Sequence, residues 1–314
     1  MNYVTQIYRF ILIIWLLLGW RCSRMELIPP AEIAVNYESD SVTFAVIGDY
    51  GYSGENERFV ADMVKSWNPD FIITTGDNNY PDGETKTLKE NIGQYYGDYI
   101  YNWDAKTEYW RNGAAFIDEK NRFYPTPGNH DTYSKDGLTP YLNYFTLPGN
   151  ELYYHFKWGA VSFYSLNSTS DDLTVQYNWL CNKIEADSSV FKVVYFHHSP
   201  YSPGHHGNKR RVQWNYDSMD IDAVLNGHDH LYSRIEIKEQ PQVHYMVNGA
   251  GGRALNAADN SKFDPAIFDI FSYDENYGAI KGIATNDQLL FQYFSIGNPE
   301  EIIDELIIFP RTVQ

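Results

Sequence analysis

Cysteine is nearly absent: the 314 residues hold only Cys22 and Cys181. Two thiols exclude a disulfide-dense scaffold and a cysteine-built zinc site. Cys181 shares a helical face with Tyr177, Leu180 and Ile184, at i, i+3, i+4, i+7 spacing, and reads as a buried core thiol. Bases are scarce too: 24 Lys and Arg face 41 acids, for a net charge of −17. That deficit excludes broad, sequence-independent nucleic-acid binding, which needs cations to neutralise phosphates. Taken alone, it also speaks against any phosphate-bearing substrate. The apolar run at residues 10–20 is well short of the ~20 residues of a spanning helix. With Arg9 before it, the run fits a signal-peptide core. Residues 1–24 are therefore expected to direct export, as a cleaved signal or a short uncleaved anchor. Membrane contact is expected only through that segment. No internal repeat or low-complexity tract stands out.

What is present is ample apolar material, 43% hydrophobic and 17% aromatic residues, enough for one large globular domain or two small ones. Residues 25–40, with Pro29 and Pro30, read as a linker. The run 43–47 is continuously apolar, as a strand buried on both faces should be, and it ends at Gly48-Asp49-Tyr50-Gly51. Residues 55–67 come next, with Val60, Met63, Val64 and Trp67 on one helical face. A second buried run, 71–75, leads into Gly76-Asp77. Such a strand–helix–strand unit implies parallel strands, with Asp49 and Asp77 at the same carboxyl edge, where α/β sheets bind ligands.

The pattern recurs as a strand at 161–166, a helix at 174–186 and a strand at 191–196 that ends in His197-His198. A short strand at 223–225 ends in Asn226-Gly227-His228, and strand-like runs come later at 243–247, 289–294 and 302–308. The expectation is a mixed α/β domain with a strand-rich C-terminal half. Two stretches rich in Tyr and Trp, 95–110 and 256–277, read as loops over one face.

Seven of the nine histidines, all but His155 and His244, fall in or beside strand-end loops. Asp49 offers a hard oxygen ligand at a glycine-permitted turn, and Asp77 would lie beside it, able to bridge two cations. Tyr80, three residues on, can return a phenolate. Asn129 supplies a neutral carbonyl oxygen, His130 can reach an adjacent substrate, and Asp131 can orient it. One of His197 and His198 should be a ligand. His228 and His230, at i and i+2 in an irregular turn, can aim into one cavity. Any one of these motifs has an ordinary reading as a turn; five in this order at strand ends do not.

In that order the motifs resemble those of the calcineurin-like metallophosphoesterases, and within them the purple acid phosphatases. The resemblance covers residues 42–300 and rests on Asp49-Tyr50-Gly51, Gly76-Asp77-Asn78-Asn79-Tyr80, Gly128-Asn129-His130-Asp131 and Gly227-His228-Asp229-His230. The fourth family motif, Val-x-x-His, departs slightly. Val194 points to His197 by spacing, but His198-Ser199-Pro200 matches the family's form better, and His198 is the preferred ligand. The resemblance implies two mixed β-sheets packed as a sandwich flanked by α-helices, over residues 41–310, with no extra N-terminal β-domain. It implies one metal site of Asp49, Asp77, Tyr80 and His230 and another of Asp77, Asn129, His198 and His228. The phenolate-bearing site suits Fe(III), and the other suits Fe(II), Zn(II) or Mn(II). His130 and His206 would contact the phosphoryl group, with His205 open as an alternative to His206. The implied activity is hydrolysis of small phosphate monoesters at acidic pH by a hydroxide at a dinuclear centre. A phosphodiesterase or nucleotide pyrophosphatase on the same metals, or a non-catalytic binding domain, are the alternatives.

Overall fold

The computed structural model describes residues 36–100 and 121–311. Cys22, the expected targeting segment and much of the 95–110 stretch lie outside them. The strands in chain order are β1 (Asn36–Tyr37), β2 (Ser41–Ile47), β3 (Phe71–Thr74), β4 (Phe123–Pro125), β5 (Tyr154–Trp158), β6 (Val161–Ser165) and β7 (Phe191–Tyr195). They continue as β8 (Ala223–Asn226), β9 (Tyr232–Ile237), β10 (His244–Asn248), β11 (Phe268–Tyr273), β12 (Gly278–Thr285), β13 (Leu289–Ser295) and β14 (Asn298–Ile308). One sheet has six strands in the order β14-β13-β12-β2-β3-β4, and the other has eight in the order β1-β5-β6-β7-β8-β10-β9-β11. Each is mixed. Strands β2, β3 and β4 run parallel in the first, as do β6, β7, β8 and β10 in the second.

The sheets pack face to face through aromatic side chains. Phe44 on β2 meets Phe163 on β6 edge-on, centroids 5.1 Å apart, and Phe71 on β3 meets both Phe156 and Phe163, at 5.5 and 5.2 Å. All four rings are fully buried. Deleting one such ring costs on the order of 3–5 kcal/mol. Helix α1 (Glu55–Ser66) covers the six-stranded sheet with Val60, Ala61, Met63 and Val64. Helix α2 (Thr174–Glu185) covers the other, where Trp179, Leu180 and Cys181 pack with Val194, Phe196 and Val224. Helices on the outer faces of two mixed sheets are the αββα sandwich that the motifs implied.

Cys181 is buried, as expected. The stretches read as loops are only partly so. Residues 85–99 form a continuous helical run through Thr85–Leu88, Lys89–Gly93, Gln94–Tyr96 and Gly97–Tyr99. The stretch 256–277 contains β11, which pairs antiparallel with β9 at the sheet edge. Among the described residues no helix is long and apolar enough to cross a membrane.

Candidate metal centre

Five parallel strands deliver their carboxyl ends to one place. Strand β2 leads to Asp49, β3 to Asp77 and β4 to Asn129 and His130, while in the other sheet β7 leads to His197 and β8 to His228. The turns are tight. A Cβ on Gly48 would lie 2.0 Å from Thr75 Oγ1, and one on Gly128 would lie 2.2 Å from the Asp77 nitrogen. Asp49, Asp77 and His228 sit in the left-handed region, at φ 52°, 52° and 73°. That conformation costs a non-glycine residue roughly 1–3 kcal/mol and clusters at functional sites.

The side chains converge in two groups that share Asp77. In the first, the Tyr80 hydroxyl lies 2.9 Å from Asp77 Oδ2, 3.2 Å from Asp49 Oδ1 and 3.3 Å from His230 Nε2. His230 Nδ1 faces the Ala254 carbonyl at 2.8 Å. Donating its proton there leaves Nε2 as a lone pair turned toward Asp49 Oδ1, 3.4 Å away. In the second group, His197 Nε2 lies 2.9 Å from Asn129 Oδ1, 3.1 Å from His228 Nδ1 and 3.4 Å from Asp77 Oδ1. His197 Nδ1 faces the Thr75 carbonyl at 2.9 Å, and Asn129 Nδ2 donates to the Tyr133 hydroxyl. Both assignments turn acceptors inward: lone pairs and carboxylate oxygens face one another, and the Tyr80 hydroxyl donates between Asp49 and Asp77. Carbonyls fixing the far nitrogen of an imidazole are the usual support of a metal-ligating histidine. The donor set therefore fits two cations. Asp49, Asp77 and His197 alone bring buried ligand atoms within 4.8 Å of one another.

The electrostatics agree. Burial, reinforced by Asp77 and opposed by His230, pushes the Asp49 carboxyl up to about 7, and burial raises Asp77 likewise. Burial holds His197 and His228 well below the usual imidazole range. For His230 burial acts downward, but the hydrogen bond and charge of Asp49 outweigh it and raise the value. A cluster of carboxyls that resists ionising and imidazoles that resist protonation is costly without a compensating cation.

The structure differs from the sequence expectation at the fourth motif. His197, fully buried, enters the cluster; His198 instead places Nδ1 2.9 Å from Ser168 Oγ at its edge. The reason is strand parity. Val193 and Tyr195 face the core between the sheets while Val194 and Phe196 face the outer core, so His197 continues toward the inter-sheet side. Asp131 also differs. Its carboxylate accepts from the Gly128 nitrogen at 2.8 Å and from Asn78 Nδ2 at 2.9 Å, clamping two site loops together. His130 is oriented by the Pro81 carbonyl, 2.5 Å from its Nδ1.

His206 stacks on His228, centroids 4.0 Å apart and 27° between planes. Asp229, lying between two ligand candidates, accepts from the His206 nitrogen at 2.7 Å, from Ser202 Oγ at 2.5 Å and from the Gly207 nitrogen at 3.2 Å. Sequence reasoning missed Asp229, Ser168 and Arg253, whose guanidinium lies 4.4 Å over Tyr52 and 5.4 Å over Tyr80. The i+1 position inside Gly-His-x-His was the available signal for Asp229.

The chain is similar to known proteins in sequence and in fold. Residues 42–232 match the model of the calcineurin-like phosphoesterase family. Purple acid phosphatase 3 of Arabidopsis thaliana is 26% identical over 259 residues, covering 72% of this chain and 67% of that one. Purple acid phosphatase 7 of the same plant is 24% identical over 83% of this chain and 85% of its own length. Among solved structures, purple acid phosphatase PPD1 of yellow lupin (Lupinus luteus) superposes with a TM-score of 0.67 at 15% identity, over 89% of this chain. This chain spans about half of that enzyme, 55%. The Plasmodium protein GAP50, described as the anchor in the inner membrane complex, gives a TM-score of 0.64 at 14% identity, over 87% of this chain and 90% of that one. With the family match extending through both donor groups, the chain belongs to the calcineurin-like phosphoesterases.

Proposed function

We propose that the chain is an exported phosphomonoesterase of the purple acid phosphatase type, built on one domain at residues 41–310. The observation that carries this reading is the pair of four-residue donor groups sharing Asp77, one of them completed by Tyr80. Asp49, Asp77, Tyr80 and His230 would hold Fe(III), and Asp77, Asn129, His197 and His228 a divalent Fe, Zn or Mn. Bound there, the two cations would grip phosphate oxygens and acidify water. Tyr80 is what separates this donor set from a plain carboxylate–histidine site. Its hydroxyl lies between two carboxylates, which with burial hold it well above the usual phenol range. Only a strongly acidic cation would deprotonate it.

The remaining residues act on the ester. His130 keeps Nδ1 on the Pro81 carbonyl, so Nε2 is the nitrogen left to meet a phosphoryl oxygen and to pass a proton to the leaving alkoxide. His206, stacked on His228 and held through its backbone nitrogen by Asp229, presents its ring beside the second donor group. The plant relatives bear the name purple acid phosphatase, which supports the monoester reading. The apolar segment at residues 10–20 supports export.

Metal analysis joined to a panel of phosphate esters tests the proposal. Purified protein should carry about two metal ions and hydrolyse an aryl phosphate monoester faster than a diester at acidic pH. Iron-loaded protein should be coloured, and Tyr80→Phe should lose the visible band. Metal-loaded protein that prefers diesters, or that hydrolyses no ester, sinks the monoesterase reading.

A further inference from the structure

Arg253 is half-buried beside the first donor group, yet it has no acid. In a chain of 41 acids and 24 bases, its guanidinium makes no ion pair or hydrogen bond among the described residues. It rests on rings instead. The Arg253 Cζ lies 4.4 Å from the centroid of Tyr52 and 5.4 Å from that of Tyr80. The two rings stand at 81° with centroids 6.3 Å apart, and form a corner that seats the cation. Both contacts fall within the ~6 Å over which the face of a ring attracts a positive charge.

The backbone fixes that placement. The Arg253 nitrogen donates to the Asp49 carbonyl at 3.0 Å, and the Gly251 nitrogen to the Gly48 carbonyl at 2.9 Å. Gly252, between them, has no room for a side chain. A Cβ there would lie 2.7 Å from the Tyr50 carbonyl oxygen and 3.0 Å from the Glu57 Cβ. Tyr52 is held from its own side, its nitrogen donating to Glu57 Oε2 at 3.2 Å. Glu57 thus backs both the loop and the ring. The Tyr80 hydroxyl belongs to the first donor group, and its ring belongs to its neighbours, Arg253 and His130.

We propose that Arg253 is a positioning residue of the metal centre, a permanent cation that sets how strongly Tyr80 gives up electrons to the ion it holds. A guanidinium keeps its charge throughout the working pH range and stacks on aromatic faces. A phenolate ligand spreads negative charge over its ring, and a cation over that ring lowers the energy of those electrons. Charge transfer to the ion then takes more energy, because the electron leaves the atoms that Arg253 faces. Groups beside the ligands commonly tune a metal in this way. An arginine kept for a substrate anion would need its fork free to swing; this one is seated between two rings.

The inference rests on Tyr80 as an iron ligand, so colour reads both. Parent and variants are loaded with iron under oxidising conditions, and metal content and visible spectra are measured. Arg253→Met keeps the length and loses the charge. It should move the band to longer wavelength by on the order of 10–20 nm, the scale of one cation–ring contact, with iron content unchanged. Arg253→Lys keeps the charge without the planar stack and should fall between Arg253→Met and the parent. Tyr52→Leu removes one wall of the corner and should move the band the same way by less. An unmoved band in Arg253→Met at full iron content overturns the inference and leaves Tyr80 as a ligand. Weaker binding of inorganic phosphate in that variant would then make Arg253 a substrate anchor. Loss of iron in both Arg253 variants overturns it too, and assigns a merely structural role. A colourless iron-loaded parent removes Tyr80 as a ligand, and this inference with it.

Discussion

Single residues in this protein are held in charge states that water would not give them. Glu57, just after the first site loop, is one case. Its carboxylate is almost wholly buried on α1, with Oε2 accepting from the Tyr52 nitrogen at 3.2 Å and Oε1 without a partner. Burial raises its pKa well above the ordinary 4.5. A raised folded-state value means that its contribution to stability is complete below 4.5 and is lost as pH climbs through the folded value. Glu57→Gln should therefore match the parent near pH 4 and exceed it in Tm toward pH 8. The gain should be about 2–4 °C, the shift that roughly 1 kcal/mol produces in a domain of this size. Thermal melts across that range check it; a difference that does not change with pH refutes the assignment.

At the scale of elements, the strand ends are where sequence and structure meet. Strands β2, β3, β7 and β8 were legible because a strand buried on both faces is an unbroken apolar run, and the site residues stand directly after such runs. Strand β12 was not legible, because it begins with Gly278 and carries Gly282 in its middle. That glycine reads as a turn but is demanded by packing: a Cβ there would lie 2.2 Å from the Phe44 ring. Strands β5 and β11 sit toward the sheet margins and alternate or mix exposure, so their apolar runs are short. The choice between His197 and His198 was decided by parity along β7, a signal present in the sequence but weaker to the eye than the His-Ser-Pro form. The loop that carries His206 is an element of another kind, pinned by the buried Asp229 rather than by a ladder. Asp229→Ala should lower kcat by about a hundredfold through misplacement of that loop, with metal content retained. In a His206→Ala background the same change should add little, because both act through one ring. Additive losses would assign Asp229 a separate role.

For the whole molecule, the net charge of −17 no longer argues against phosphate chemistry. Two cations would invert the field at the strand ends. The rest of the surface still repels long polyanions. Because the donors exist as a cluster only in the folded chain, metal should stabilise the fold by mass action, by about 4 kcal/mol at a thousandfold excess over Kd. Stripping metal with a chelator should lower Tm by on the order of 10 °C, and adding metal back should restore it. Equal melts with and without metal would mean that the donor groups hold none.

The two sheets do not share the ligands evenly. Asp49, Asp77, Tyr80 and Asn129 come after strands of the six-stranded sheet, and His197, His228 and His230 after strands of the other. Every oxygen donor thus hangs from one layer and every nitrogen donor from its neighbour, and each donor group draws on both. During synthesis the oxygen half emerges first, and it must wait some seventy residues, from Asn129 to His197, for the first nitrogen. Metal capture then needs both layers docked against each other, not either one alone. In the mature protein an ion's residence time becomes a clock for how often those layers part.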